Sequence, residues 1–127
     1  DGTVWMDGFV EGLPATIALS PDTPSAYTAW GWPASIELAF KDTATAVVML
    51  TGSDVRTRAP LWWSFPSTTN IPPLPSFTFD PQQQGARSGG LGAVWWTGTL
   101  YLPGSGCYVL SASWPDGSWT VHFAAGR

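Results

Sequence analysis

The stretch that decides the fold is T-G-T-L-Y-L-P-G-S-G-C-Y-V-L-S-A-S-W-P-D-G-S-W-T-V-H-F-A-A-G-R, residues 97–127. It predicts three short strands joined by two tight turns, and the strands span residues 99–102, 107–114 and 119–123. The second turn contains Asp116 and Gly117 between apolar runs. Asp-Gly in this setting indicates a hairpin, because glycine supplies the positive φ that such a turn requires.

Apolar and milder side chains alternate along these strands. In the middle strand one side carries Tyr108, Leu110, Ala112 and Trp114, and the other carries Val109, Ser111 and Ser113. In the last strand one side carries Trp119, Val121 and Phe123, and the other carries Thr120 and His122. Successive residues of a strand point to opposite faces of the sheet, so one face here is apolar, as in the wall of a sandwich. We expect the rest of the chain to cover that face.

Upstream, similar runs predict further strands, at residues 4–10, 15–19, 35–40, 44–51, 61–65, 77–79 and 93–97, whereas residues 27–32 are ambiguous. Residues 44–51 are apolar on both faces, which indicates a central strand or one whose outer face meets something else. Turn signals recur about every ten residues and no helical period appears. The sequence therefore predicts an all-β chain, with one antiparallel β-sandwich of about seven to nine strands over residues 1–127.

Low charge is the unusual feature of the composition. Charged residues make up 11% of the chain and the net charge is −4, against roughly 25% charged residues in an ordinary soluble domain. Without a basic stripe, we expect no nucleic-acid binding and no attraction to anionic lipid. No run approaches the roughly 18 apolar residues of a spanning helix, so we expect no membrane span.

The chain begins at Asp1 without an initiator methionine. We therefore expect that a signal segment has been removed or that a domain has been excised from a longer protein. Few lysines and many Ser and Thr residues suit an exported protein.

Several short motifs carry a resemblance to a known group of proteins. They are the G-C-Y-V-L run after a Leu-Pro-Gly turn, the ending W-P-D-G-S-W-T-V-H-F-A-A-G-R, the tripeptide Gly31-Trp32-Pro33, T-G-S-D-V-R at 51–56 and A-P-L-W-W-S-F at 59–65. Together they resemble an uncharacterised family of short exported bacterial domains that end in a Gly-Cys-Tyr or Gly-Cys-Trp strand and a hairpin. The resemblance implies an immunoglobulin-like sandwich outside a Gram-positive-type or related bacterium, and it implies no activity.

Candidate residues for chemistry are few. His122 is the sole histidine, and its place in the last strand predicts a position on the milder face. Cys107 is the sole cysteine, and we expect a small buried hydrophobe there, with a reactive thiol or an interchain bridge as alternatives. One His and one Cys do not fill a tetrahedral metal shell, and the acids lie mostly in turn sequences. We therefore predict no catalytic residue, no metal site, no cofactor and no enzyme activity.

Tryptophan supplies the strongest functional signal, with nine residues in 127. The pairs Trp62-Trp63 and Trp95-Trp96 should each place one indole inside and one outside, because strand neighbours face opposite ways. Trp30 and Trp32 would share a side in an extended chain. An alternative is that both faces are buried within the domain itself. The candidate interaction surface predicted from these patterns consists of Trp5, Trp30, Trp32, Trp63 and Trp96.

Two functions fit these observations. The first is a non-catalytic structural module of the cell exterior that associates with copies of itself, or with another surface protein, through aromatic and strand-edge contacts. Such contacts propagate into a filament if they do not close. The alternative is a carbohydrate-binding module that stacks exposed Trp side chains on a polysaccharide.

Overall fold

The computed structural model describes residues 4–7, 15–18, 29–41, 45–65, 72–80, 86–87 and 92–126. These residues form ten strands: β1 (Val4–Asp7), β2 (Ala15–Ala18), β3 (Trp32–Lys41), β4 (Val48–Asp54), β5 (Trp62–Ser64), β6 (Ser76–Phe79), β7 (Ala86–Arg87), β8 (Ala93–Leu102), β9 (Gly106–Trp114) and β10 (Gly117–Gly126). Parts of four predicted segments, at residues 8–10, 19, 27–28 and 44, lie outside the described residues.

The strands form two sheets of five. In the first sheet the order is β1-β3-β8-β5, and β7 also pairs with β8, while in the second sheet the order is β2-β10-β9-β4-β6. The described pairings are antiparallel except for β2 and β10, which run parallel. Strands that alternate between two sheets in this order are typical of immunoglobulin-like sandwiches. The prediction of an all-β, immunoglobulin-like sandwich is thus confirmed, although the described residues form ten strands where about seven to nine were expected, and one pair is parallel.

The core lies between the two sheets and is built from aliphatic and aromatic side chains. Among the described residues, the largest side chains that are fully buried are those of Trp63, Tyr108, Phe40, Phe65, Ile36, Leu38, Leu50, Leu61, Leu100, Leu102, Leu110 and Val48. No polar or charged residue within the described ranges is buried. The alternation predicted for the closing strands is confirmed, since Tyr108, Leu110 and Ala112 are buried and Thr120 and His122 are exposed.

Two glycines make room for core rings. A Cβ at Gly98 would lie 2.3 Å from Cε1 of Phe65, and a Cβ at Gly52 would lie 2.6 Å from Cδ2 of Leu110 and 3.3 Å from Cζ2 of Trp63. The strands predicted at residues 93–97 and 99–102 form one strand, because β8 runs through Gly98 without a break. Gly98 is therefore a strand glycine and not a turn residue, and the ring of Phe65, which follows β5, packs closely against its backbone.

The connection between β8 and β9 is fixed by a buried tyrosine. Tyr108 lies near the start of β9, and its hydroxyl donates a hydrogen bond of 2.7 Å to the carbonyl oxygen of Gly104. A tyrosine at this point of an immunoglobulin-like sandwich, bonded to the backbone a few residues upstream, is the arrangement called a tyrosine corner. Burial raises the pKa of Tyr108 above its ordinary value of 10.0.

The turn after β4 is held by Asp54. Its Oδ1 accepts hydrogen bonds from the backbone N–H groups of Thr57, at 2.8 Å, and Arg56, at 2.7 Å. These bonds, the one from Thr57 above all, hold the pKa of Asp54 below its ordinary value of 3.8. The turn folds back so that Leu61 N–H donates to the Gly52 carbonyl oxygen at 2.9 Å. It therefore covers the edge of β4 beyond the last residue that pairs with β6.

Candidate interaction surface

Two of the five tryptophans predicted to form an outward surface lie in the core. Trp63 is 0% exposed and Trp96 is 5% exposed. The alternation itself is confirmed, because their neighbours Trp62 and Trp95 are half-buried on the outer face. The choice of the inward member of each pair was wrong. Trp63 follows the parity of the buried Leu61 and Phe65, and Trp96 follows that of Val94 and Leu100.

Trp30 and Trp32 lie on different sides of the first sheet. Gly31 between them has a φ of +130°, and a Cβ there would lie 2.5 Å from the carbonyl oxygen of Leu102. Among the amino acids, glycine adopts this backbone conformation readily because it has no Cβ. The bend changes the side to which successive residues point before β3 begins. Trp32 consequently packs half-buried against the core, whereas Trp30 is 40% exposed. The expectation that they share a side applied to an extended chain, and the bend at Gly31 means that the chain is not extended here.

Trp5 lies in β1, where its backbone pairs with Ala39 of β3. Its side chain is outside the described part of the structure, so its place in the predicted surface stays a prediction. Two further indoles, Trp114 and Trp119, lie at the hairpin end of the second sheet and pack half-buried against the core. Most of the described tryptophans thus serve the sandwich interior, wholly or in part.

An outward aromatic surface does exist at one end of the first sheet. Tyr101 of β8 stands opposite Trp62 of β5 on one side and Pro33 of β3 on the other. The ring of Trp30 reaches the same place, with its centroid 6.3 Å from that of Tyr101. We call these four residues, Trp30, Pro33, Trp62 and Tyr101, the aromatic surface. One step along the strands lies a row of hydroxyl side chains, Ser35, Thr99 and Ser64, in direct register.

The rings of the aromatic surface do not form a plane. The planes of Trp30 and Tyr101 are inclined by 55°. Aromatic pairs commonly adopt such tilted arrangements, and this one leaves the two rings without a shared flat face.

The outer face of the second sheet has a different character. Most of its outward positions on β4, β6, β9 and β10 carry hydroxyl groups, at Thr51, Ser53, Ser76, Thr78, Ser111, Ser113, Ser118 and Thr120. The other outward positions are Met49, Cys107, Val109, His122 and Ala124, and Val47 lies just before β4. None of these positions holds a charged residue. Val47 is 46% exposed and Met49 is 49% exposed. The strand predicted to be apolar on both faces therefore leaves its outer apolar residues uncovered within the described chain.

A shallow apolar pocket lies where β9 and β10 approach the turn after β4. It has a volume of about 280 Å³ and is lined by Val55, Cys107, Tyr108, His122, Phe123 and Ala124. Cys107 is exposed, so the prediction of a buried thiol was wrong. Tyr108 takes the inward position, and its strand neighbour must point outward. Within the described ranges, no group of three or more His, Cys, Asp or Glu side chains is placed to hold a metal ion.

Sequence reasoning missed Trp62, Tyr101 and Trp95 as outward aromatic residues. A signal was available, because β8 alternates Val94, Trp96, Leu100 and Leu102 against Trp95, Thr97, Thr99 and Tyr101. The second set mixes aromatic and hydroxyl side chains, which indicates the outward face of the sheet. What the sequence did not provide was the bend at Gly31 that brings Trp30 beside Tyr101.

No protein-family model matches the chain, and no curated protein matches it. Among solved structures, the chain is similar to the ASH/PapD-like domain of human CEP192 (PapD-like domain 7), with 12% sequence identity and a TM-score of 0.31. The alignment covers 98% of this chain and 84% of that one. A superposition this loose carries no functional argument. The resemblance to short exported bacterial domains stays a prediction, and no helix in the described residues has the length and apolarity needed to cross a membrane.

Proposed function

We propose that the chain is a non-catalytic module of the bacterial cell exterior that associates with copies of itself through the aromatic surface. The observation that carries this proposal is the group of outward rings at one end of the first sheet, where Trp30 is 40% exposed and packs obliquely on Tyr101. Tryptophan and tyrosine dominate the binding energy of protein interfaces because they bury a large area at a low cost in conformational entropy.

The charge distribution supports contact between like copies. Each copy carries a net charge of −4, so a contact has to avoid bringing acidic side chains together. The aromatic surface and the adjoining hydroxyl row contain no charged residue. Charge is depleted in the same way at the centres of protein interfaces. The low overall charge of the chain and its Ser- and Thr-rich exterior also suit a location outside the cell.

The test compares Trp62→Ala with the wild type by size-exclusion chromatography and light scattering over a range of concentrations. We expect the wild type to form assemblies and the variant to shift towards smaller species. Trp95→Ala is the matched control, because Trp95 is a half-buried indole on the same outer face, at the opposite end of β8. A wild type that stays monomeric at high concentration contradicts the proposal. An equal effect of both variants indicates a general loss of stability instead.

A second candidate function is carbohydrate binding, which the hydroxyl row beside the aromatic surface favours. Ser35, Thr99 and Ser64 lie one strand repeat from Pro33, Tyr101 and Trp62, within reach of the hydroxyls of a sugar stacked on a ring. Titration of Trp fluorescence with a panel of polysaccharides tests this function. A saturable change that Trp62→Ala abolishes would support it, and an unchanged spectrum across the panel would exclude those sugars.

A further inference from the structure

The chain has one cysteine and one histidine, and the fold brings both to the same pocket. Cys107 lies on β9 and His122 lies on β10, and both line the apolar pocket described above. Cys107 stands opposite Ala124 in the pairing of these strands, and His122 is two residues before Ala124 on the same outward face. The thiol and the imidazole are therefore diagonal neighbours on adjacent strands.

The separation of these two positions suits a single bridging ion. Diagonal neighbours across an antiparallel pair have Cα atoms roughly 7–8 Å apart, and their Cβ atoms are closer. Thiolate sulfur and imidazole nitrogen bind metal ions at about 2.0–2.3 Å. Because both side chains extend from the same face, an ion between their tips reaches a donor atom of each without a shift of either strand.

The surroundings of the two donors decide which kind of ion fits. The other residues that line the pocket are Val55, Tyr108, Phe123 and Ala124. The turn after β4 is held against the pocket, since the backbone N–H of Val55 donates to the carbonyl oxygen of Cys107 at 3.0 Å. Magnesium and calcium take oxygen ligands, and no carboxylate of the described residues lines this pocket. Thiolate and imidazole together favour a soft ion such as Cu(I).

Charge favours a univalent ion for the same reason. Net charge is costly in apolar surroundings. A univalent cation, a thiolate and a neutral imidazole sum to zero, whereas a divalent cation leaves one positive charge. Zinc needs four ligands, and within the described ranges no third His, Cys, Asp or Glu is placed to join these two. The prediction of no metal site assumed a tetrahedral shell, which a two-coordinate ion does not require.

We propose that Cys107 and His122 bind one Cu(I) ion between β9 and β10, with one sulfur and one nitrogen ligand. On binding, the thiol releases its proton to solvent and the sulfur donates an electron pair to the ion. The imidazole stays neutral and donates the electron pair of one ring nitrogen, and no electron is transferred. The site belongs to the second sheet and is separate from the aromatic surface, so it does not depend on the self-association proposed above.

The affinity is measured by titrating the protein with Cu(I), without oxygen, against a chelator that is coloured when it holds Cu(I). We expect the wild type to withdraw one ion per chain and Cys107→Ser to withdraw none. His122→Phe should weaken binding by about a hundredfold or more, because a second donor on the same scaffold acts at a high effective concentration. Both positions are exposed, so the two variants should keep the fold.

Met49→Leu is the matched control. Met49 is another soft sulfur ligand on the same outward face and is 49% exposed. It pairs with Ser113, which is six residues along β9 from Cys107, a distance of about 20 Å. We expect this variant to bind Cu(I) as the wild type does. Loss of binding in Met49→Leu, or unchanged affinity in either Cys107→Ser or His122→Phe, overturns the proposal.

A second measurement identifies the ligands with Ag(I), a univalent soft ion that does not change its oxidation state under these conditions. Because His122 is the only histidine, its two ring nitrogens give an unambiguous NMR signature. We expect one of the two nitrogen signals to shift when one ion per chain is added, and neither to shift in Cys107→Ser. Bound Ag(I) that leaves both signals unmoved, or a mass spectrum with one ion held between two chains, overturns the proposal.

Discussion

The substitution Gly98→Ala tests how closely the core rings approach the backbone. A Cβ at this position would lie 2.3, 2.4 and 2.9 Å from Cε1, Cδ1 and Cζ of Phe65, whereas ordinary van der Waals contact is 3.4–4 Å. The ring would have to retreat by about 1 Å. It cannot do so freely, because the ring centroids of Phe77 and Phe79 lie 4.6 and 4.8 Å from its own.

The magnitude follows from two opposing terms. Overpacking a core of this density costs about 1–3 kcal/mol. Replacing glycine with alanine stiffens the unfolded chain and returns about 0.4–1 kcal/mol, and Gly98 has no positive φ that would forbid a side chain. We therefore expect Gly98→Ala to lower the free energy of unfolding by about 1–2 kcal/mol. Urea unfolding followed by Trp fluorescence measures this difference.

A double-mutant cycle with Phe65→Ala identifies the cause. Phe65→Ala alone should cost about 3–5 kcal/mol, because it leaves a cavity between the sheets. In the double variant the new Cβ enters space that the ring has left, so the overpacking cost disappears and the combined loss should fall short of the sum by about 1–3 kcal/mol. Gly126→Ala is the control, since a Cβ at that strand glycine meets nothing within 4 Å. A Gly98→Ala protein as stable as the wild type, or strictly additive losses, would refute the reasoning.

Two further substitutions test buried polar groups. Nε1 of Trp63 is buried without a hydrogen-bond partner in the described structure. Trp63→Phe loses part of the buried ring volume, which destabilises the fold, but it also removes this unpaired donor, whose burial costs about 1–3 kcal/mol. Its unfolding free energy should change by less than about 1 kcal/mol, and Trp96→Phe should cost more, whereas the reverse order would contradict this account. Tyr108→Phe removes the bond to Gly104 and should cost about 0.5–1.5 kcal/mol at neutral pH. Because burial raises the pKa of Tyr108 above 10.0, its contribution is fully present below that pH and is lost as the pH rises through the folded-state pKa. Unfolding titrations from about pH 9 to about pH 11 should therefore show a steeper loss of stability in the wild type than in the variant, and parallel curves would argue against a buried phenol.

The fold was largely predictable because period-two alternation is a local property. The closing strands alternate without interruption, and each predicted inward residue from Tyr108 to Ala112 is buried. Two features escaped prediction because they depend on contacts distant in sequence. Gly98 could not be distinguished from a turn glycine without the Phe65 ring that covers it, and the reversal at Gly31 depends on the nearby backbone of Leu102.

The tryptophan count carried less information about partners than expected. The prediction assumed that so many indoles exceed what one sandwich can enclose. In the structure Trp63 and Trp96 fill the interior, and Trp32, Trp114 and Trp119 close its margins. A better signal was the parity of each indole relative to the aliphatic residues of its own strand, which identifies Trp62 and Trp95 as outward without any count.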